Sequence, residues 1–260
     1  MVEEVVVGAL STKCWIYPLG GGGSGGADGA AAAETDVAAE TAVETETAAA
    51  AASDTSPFPG RPCAVIDPGA DADAIISRLE SLNLYPAYIL LTHGHFDHIG
   101  ALGPLAAHYN GKPFIAMHRA DAARIGPDAY KAHKTDFDFM GIPGGNISGP
   151  MGRYAEILRQ GLPAAAGFLK DGDVLGPFTV LGLPGHSPGS IGFYDKKQKL
   201  IFGGDVLFRG GIGRTDLPGG NWDDMIQSLE KLFALDGETT VYPGHGPAAT
   251  IDGERGQFAP

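Results

Sequence analysis

Three histidines and one aspartate fall within the short run Thr92-His93-Gly94-His95-Phe96-Asp97-His98. As core packing this makes little sense, because each ring nitrogen and carboxylate oxygen taken out of water needs a hydrogen-bond partner of its own. As a metal-binding segment it does. The run follows Tyr88-Ile89-Leu90-Leu91, an apolar stretch that reads as a buried strand. In an extended turn leaving that strand, His93 and His95 point to the same side, while Asp97 and His98 fall after the bend and face a second centre. Imidazole with carboxylate suits borderline divalent ions such as Zn, Fe, Mn or Co, and two separate ligand pairs predict two ions. Neither pair fills a coordination shell, so further ligands must come from elsewhere.

Three more candidates sit at the ends of apolar runs. His186 lies in Pro184-Gly185-His186-Ser187-Pro188-Gly189, where glycine permits close backbone approach and proline stiffens the loop. Asp205 follows Leu200-Ile201-Phe202 through two glycines, and His245 follows Val241-Tyr242 within Gly244-His245-Gly246. Alone, each reads as a surface or turn residue; the recurring strand-end placement favours one shared site. Asp67, in Ile66-Asp67-Pro68-Gly69, has two readings: a carboxylate that orients a ligand histidine through its distal N–H, or a plain turn residue.

The elements that must hold these residues are legible in outline. Val5-Val6-Val7, Cys14-Trp15-Ile16-Tyr17 and Cys63-Ala64-Val65-Ile66 are rich in strand formers. Between residues 71 and 84, Ile75, Ile76, Leu79 and Leu82 recur at helical spacing, and a second helix is expected from about 98 to 109, then a short strand at Phe114-Ile115-Ala116. Residues 119–168 have no decisive periodicity and fit either a helical lid or a long connection. Strands resume at 178–183, 190–194, 200–202 and 240–242. Before the last of these, Asn221 is placed to cap a helix carrying Trp222, Met225, Ile226, Leu229 and Phe233 on one face. Strands in groups with helices between the groups predict an α+β fold, sheet packed on sheet with helices outside.

Composition narrows the function classes. The 260 residues carry a formal net charge of −13, which repels phosphate backbones and argues against nucleic acid as a partner. No stretch approaches the ~18 continuous apolar residues of a membrane span. The start, Met-Val-Glu-Glu, has acids where a secretory leader carries positive charge, so a cytoplasmic location is expected. Cys14 and Cys63 are then reduced, buried thiols. About half of the net charge comes from residues 18–60, where Asp28, Glu34, Asp36, Glu40, Glu44, Glu46 and Asp54 stand without any Lys or Arg among glycines and alanines. That segment reads as a flexible, solvated insertion replacing a hairpin loop within a single domain spanning 1–260.

The set His93-x-His95-x-Asp97-His98, His186, Asp205 and His245 resembles the metallo-β-lactamase superfamily. The resemblance runs from Val5 to about Thr250 outside the insertion, and all seven ligand positions match. It implies an αββα sandwich of two mixed β-sheets packed face to face, with two divalent metal ions at their edge, zinc first and iron or manganese as alternatives. By the same resemblance His93, His95 and His186 would bind one ion, Asp97, His98 and His245 the other, and Asp205 would bridge both. Two such ions can hold a hydroxide for attack on a carbonyl carbon, with Asp97 helping to position it.

Residues 205–220 resemble the hydroxyacylglutathione hydrolase (glyoxalase II) branch, particularly its short bacterial members. The implied substrate is a glutathione thioester, a small molecule, cleaved by a thioesterase reaction. Arg214 stands where longer members place a lysine that contacts glutathione; Arg209 is a second candidate contact, and Asp216 is placed to pair with Arg214. The resemblance also admits a mono-iron persulfide dioxygenase, whose iron would sit on His93, His186 and Asp205, and a lactone or phosphodiester hydrolase of the same fold. A non-catalytic binding module predicts degraded ligand positions, and none is degraded.

Overall fold

The computed structural model describes residues 1–20, 57–142 and 150–258. The first sheet takes its strands in chain order: β1 (Glu3–Val7), β2 (Thr12–Pro18), β3 (Arg61–Ile66), β4 (Leu84–Leu90), β5 (Phe114–His118) and β6 (Gly167–Leu169). β1 to β3 pair antiparallel and β3 to β6 parallel, so the sheet is mixed. Pro18 pairs with Cys63, and the Leu19 amide donates to Pro62 O at 2.9 Å. The chain therefore leaves β2 and re-enters β3 at neighbouring points; the expected flexible insertion falls, for residues 21–56, outside the described residues.

Helices carry the parallel crossovers. α1 (Ala72–Ser81) buries Ile75 and Leu79, but it is shorter than the expected 71–84. Asn83 adopts a left-handed φ of 53° that ends the helix, and β4 begins at Leu84. All of β4 is buried even though it contains Pro86, which lacks an amide for the ladder; the register slips just beyond Pro86, where a bulge accommodates it. The helix expected over 98–109 is two: α2 (Phe96–Ile99) and α3 (Leu102–His108). The break has a cause in the packing of Pro68-Gly69. The Ala101 amide donates to Pro68 O at 2.9 Å, and a Cβ on Gly100 would lie 2.4 Å from Gly69 O.

Within 119–168 the described residues are largely helical, which their sequence periodicity does not reveal. A 3-10 helix (Arg119–Arg124) follows β5, then α4 (Ala129–Phe139) and α5 (Pro150–Arg159), before β6 closes the edge of the sheet. Phe96 of α2 packs against Phe137 and Tyr154, so these helices cover the outer side of the histidine-rich segment.

The second sheet has the order β14-β13-β10-β9-β8-β7, built from β7 (Val174–Leu175), β8 (Phe178–Gly182), β9 (Ile191–Asp195), β10 (Leu200–Gly204), β13 (Thr240–Pro243) and β14 (Ala249–Thr250). β10 and β13 are parallel and the other pairs antiparallel. β11 (Leu207–Phe208) and β12 (Gly211–Ile212) form a separate ribbon. α6 (Trp222–Phe233) starts at Asn221, whose side chain accepts from the Asp223 and Asp224 amides; such a cap stabilises a helix by about 1 kcal/mol.

The two sheets meet through aromatic side chains. Trp15 and Tyr17 of β2 pack on Phe202, with Tyr242 against Trp15 and Phe178 against Tyr17. Along β10 the period-two alternation divides the cores: Phe202 faces the first sheet, and Ile201 faces Met225, Leu229 and Leu232 of α6 and Ile251 of α7 (Ile251–Phe258). The face of α6 is thus rotated from the one its apolar residues predict. Trp222 is 56% exposed and Ile226 also lies outward, while Ser228 is buried because its hydroxyl donates to Pro184 O at 2.6 Å. The architecture is the α+β sandwich of two mixed sheets with helices outside. Cys14 and Cys63 lie in its core as free thiols, and burial pushes both thiol pKa values up.

Candidate metal centre

β4 delivers Leu91 and Thr92 to the rim of the first sheet, and the chain then turns into α2. The turn is pinned from beneath. The Thr92 amide donates to Asp67 Oδ1 at 2.8 Å, and its hydroxyl to Asp67 Oδ2 at 2.6 Å. Asp67 sits at the end of β3 with a left-handed φ of 52°, which aims its carboxylate across at the neighbouring strand end.

From that rim the structure brings all seven candidate side chains together. Single ligand atoms of His93, His95 and His186 lie within 4.8 Å of one another, as do those of Asp97, His98 and His245. Asp205, at the end of β10, lies between the two groups. Its Oδ1 is 3.5 Å from His98 Nε2, and its Oδ2 is 3.6 Å from His186 Nε2 and 3.5 Å from His245 Nε2. The glycines make this approach possible: a Cβ on Gly244 would lie 2.1 Å from Asp205 Oδ1, and one on Gly213 1.8 Å from Asp205 O.

Hydrogen bonds on the far side of each ring decide which nitrogen faces inward. His98 Nδ1 contacts Asp67 Oδ2 at 3.1 Å, His186 Nδ1 contacts Arg214 O at 2.8 Å, and His245 Nδ1 contacts Leu10 O at 3.2 Å. Carboxylates and carbonyls only accept, so these three rings carry hydrogen on Nδ1, and Nε2 is the nitrogen each can present to an ion. His93 Nδ1 sits 3.1 Å from Thr92 Oγ1, whose own hydrogen goes to Asp67. His95 is turned the other way, with Nδ1 2.8 Å from His186 Nε2.

Imidazole nitrogens and carboxylate oxygens therefore face one another across the cleft. His245 Nε2 lies 3.1 Å from Asp97 Oδ2 and His98 Nε2 3.6 Å from the same oxygen. His93 Nε2, His98 Nε2 and Asp205 Oδ1 are buried without a hydrogen-bond partner. Such a set is stable around positive charge and costly without it, which is the donor chemistry a divalent cation fits. The ionisation of the groups shows how strongly the carboxylates draw positive charge toward them. Burial keeps His93 and His95 neutral, with pKa values well below the usual histidine range, reinforced by His98 near the first and His186 near the second. Burial opposes charge on His98 too, but the Asp97 and Asp205 carboxylates outweigh it and hold its pKa well up; His245 is raised in the same way, chiefly by Asp97. Burial also favours the neutral acids at Asp97 and Asp205, and the surrounding imidazoles, His98 foremost, reverse this and keep both below the ordinary carboxylate range.

Several supporting residues carry no local sequence signal. Thr12 Oγ1 donates to Asp97 Oδ2 at 3.1 Å from 85 positions away. Trp15 Nε1 donates to Pro243 O at 2.9 Å, tying the first sheet to the strand that bears His245. Arg124 pairs with Asp136, and its stem lies against Gly94, where a Cβ would come within 2.7 Å. Arg214 and Arg209 are exposed. The Arg214 guanidinium makes two 2.7 Å bonds to Asp216, the pairing that the sequence places within reach, and Arg209 donates to Ala248 O.

The sequence profile described as the metallo-beta-lactamase superfamily matches residues 59–245. The chain belongs to the metallo-beta-lactamase superfamily. Among superfamily relatives it is similar to hydroxyacylglutathione hydrolase GloC of Haemophilus influenzae, 37% identical over 204 residues, which is 74% of this chain and 84% of that protein. It is equally 37% identical to the probable metallo-hydrolase YqgX of Bacillus subtilis over 199 residues, 75% of this chain and 85% of that one. Of the solved superfamily structures, that of TTHA1623 in a di-iron-bound form aligns with a TM-score of 0.66 at 28% identity, covering 97% and 96% of the two chains. No helix among the described residues is long and apolar enough to cross a membrane.

Proposed function

We propose that this member of the superfamily is a metal-dependent thioesterase that splits an S-acylglutathione with water into a carboxylate and a thiol. The metal dependence rests on one observation, the imidazole nitrogens and carboxylate oxygens that face one another across the cleft. The substrate class rests on the likeness to a hydroxyacylglutathione hydrolase over about three quarters of the chain.

In this reading His93, His95 and His186 hold one divalent ion, Asp97, His98 and His245 hold a second, and Asp205, with an oxygen toward each group, serves both. Zinc is the first choice for a nitrogen-rich set with carboxylates, and iron or manganese also fits. When bound, the ions supply Lewis acidity at a carbonyl oxygen and lower the pKa of water to about 7. The chain's own groups supply the rest. Asp97, kept ionised and steadied by Thr12, offers an acceptor that orients a water. Asp67 and the Arg214 carbonyl hold His98 and His186 in the tautomers that leave Nε2 free. Arg214 recruits a substrate carboxylate by exchanging it for Asp216, and Arg209 lies a few residues away on the same stretch. The exchange costs little, because an exposed ion pair contributes only about 0–1 kcal/mol. Two free thiols buried in the core fit a reducing, cytoplasmic setting.

Metal analysis of the purified protein with two assays tests the reading. Two ions per chain together with turnover of S-lactoylglutathione are expected. One iron per chain with oxygen uptake on glutathione persulfide, and no thioester turnover, overturns it in favour of a mono-iron dioxygenase.

A further inference from the structure

Asp121 lies in the 3-10 helix after β5, in a stretch whose sequence gives no functional signal, yet it is 1% exposed. A carboxylate so deeply buried needs several donors to hold it, and it has three. Its Oδ2 accepts from the Gly94 amide at 2.9 Å and from the Ser187 hydroxyl at 2.7 Å, and its Oδ1 accepts from the Gly189 amide at 2.9 Å. Gly94 is the residue between His93 and His95. Ser187 directly follows His186, and Gly189 closes the same loop.

One side chain thus spans the two loops that carry three of the seven candidate ligands, loops that arise from different sheets. The fit leaves no slack. A Cβ on Gly189 would come within 2.6 Å of Asp121 Cγ, so glycine there is what lets the acid reach its donors. Ser187 Oγ is also 2.9 Å from Ser190 Oγ, which extends the brace into the start of β9. The other half of the cluster has its own supports, Asp67 behind His98, Thr12 behind Asp97 and Leu10 O behind His245, and Asp121 touches none of those three side chains by hydrogen bond.

We infer that Asp121 is a positioning residue that sets the spacing of His93 and His95 from His186, and so tunes cation affinity at the three-histidine half of the centre alone. The inference rests on the metal reading given above. Groups that orient metal ligands through hydrogen bonds change affinity by about 10- to 100-fold when removed. Asp121→Asn keeps the shape and places an amide N–H against donors that need an acceptor.

The test is Co(II) binding to metal-free protein, followed by its visible spectrum and by chelator competition. It is run in a His245→Ala background, which leaves the three-histidine group intact, and in a His186→Ala background, which leaves the other. Asp121→Asn is expected to weaken Co(II) binding about 10- to 100-fold in the first background, with an altered spectrum, and by less than about threefold in the second. Equal weakening in both, or none in the first, overturns the assignment. If Asp121→Asn does not fold, Ser187→Ala removes one of the three donors and is expected to give the same selectivity with a loss of about 3- to 10-fold; a loss shared by both backgrounds again overturns it. Parent proteins that take up no Co(II) in either background bring down the metal reading itself.

Discussion

His98 Nδ1 donates to Asp67 Oδ2 at 3.1 Å, and that contact turns the ring so that Nε2 faces Asp97 and Asp205. Asp67 also takes both hydrogens of Thr92 that point its way, so one carboxylate fixes the start of the histidine-rich turn and the tautomer of its last member. Asparagine tolerates the left-handed backbone at position 67 and preserves the side-chain shape. Asp67→Asn is therefore expected to fold with a stability loss of about 1–3 kcal/mol from the mispaired donors, and to bind metal about 10- to 100-fold more weakly. Urea unfolding and chelator competition read the two effects separately.

Asp205 is the one candidate ligand whose oxygens face both histidine groups. Replacing it with alanine is expected to reduce metal content at both positions and to lower kcat/KM by more than about 100-fold, beyond what loss of an outlying partner costs. Elemental analysis after gel filtration, with the thioester assay, checks this. Full metal content and an unchanged rate would show that Asp205 serves neither ion.

Gly244 precedes His245, and a methyl group there would lie 2.1 Å from Asp205 Oδ1 and 2.5 Å from His98 Cε1. Gly244→Ala is expected to force both side chains aside and to cost activity at least as heavily as loss of Asp67. A Gly246→Ala control has open space around its Cβ, though its φ of 75° strains any L residue. Metal content should fall in the first variant and hold in the second.

The exposed Arg214–Asp216 pair lends itself to a cleaner separation of binding from chemistry. Arg214→Ala is expected to raise KM for S-lactoylglutathione several-fold while leaving kcat and metal content near the parent values. Its effect on stability should stay within about 0.5 kcal/mol, as for most surface changes. A fall in kcat with KM unchanged would place the arginine in the chemistry instead.

Burial raises the pKa of Cys14 and Cys63, which fixes the sign of one pH dependence. Above the ordinary thiol pKa of about 8.5 the unfolded chain loses these protons while the folded chain keeps them. The unfolded state then binds fewer protons, so stability falls as pH rises through and beyond that value. The urea midpoint should drop between pH 8 and pH 10 in the parent and drop less in a Cys14→Ala, Cys63→Ala double variant. At pH 8 neither thiol should react with a chromogenic disulfide until the protein is unfolded.

Four candidate ligands were legible because they crowd into six residues after an apolar strand, and three because each ends an apolar run among glycines. Asn221 as a helix cap was legible for the same reason, since its partners are two and three residues away. What eluded the sequence depends on contacts between distant segments. Trp222 and Ile226 match the helical stripe of α6, yet the helix rotates to bury Ser228 against Pro184 O, and no window of local sequence contains Pro184. The stop of α1 before Leu84 and the break at Gly100 follow from a left-handed asparagine and from the backbone of Pro68-Gly69. Thr12 and Asp121 act on the turn from 85 and 27 residues away, and only the folded chain brings them there.

The candidate cluster draws four side chains from the end of β4 and three from the strand ends of the second sheet, with Trp15 hydrogen-bonded across at Pro243. Neither sheet by itself assembles either ligand group, because His186 is needed for one and His245 for the other. Both groups are therefore completed only when the two sheets dock, and a chain whose halves lie apart offers scattered, weak ligands.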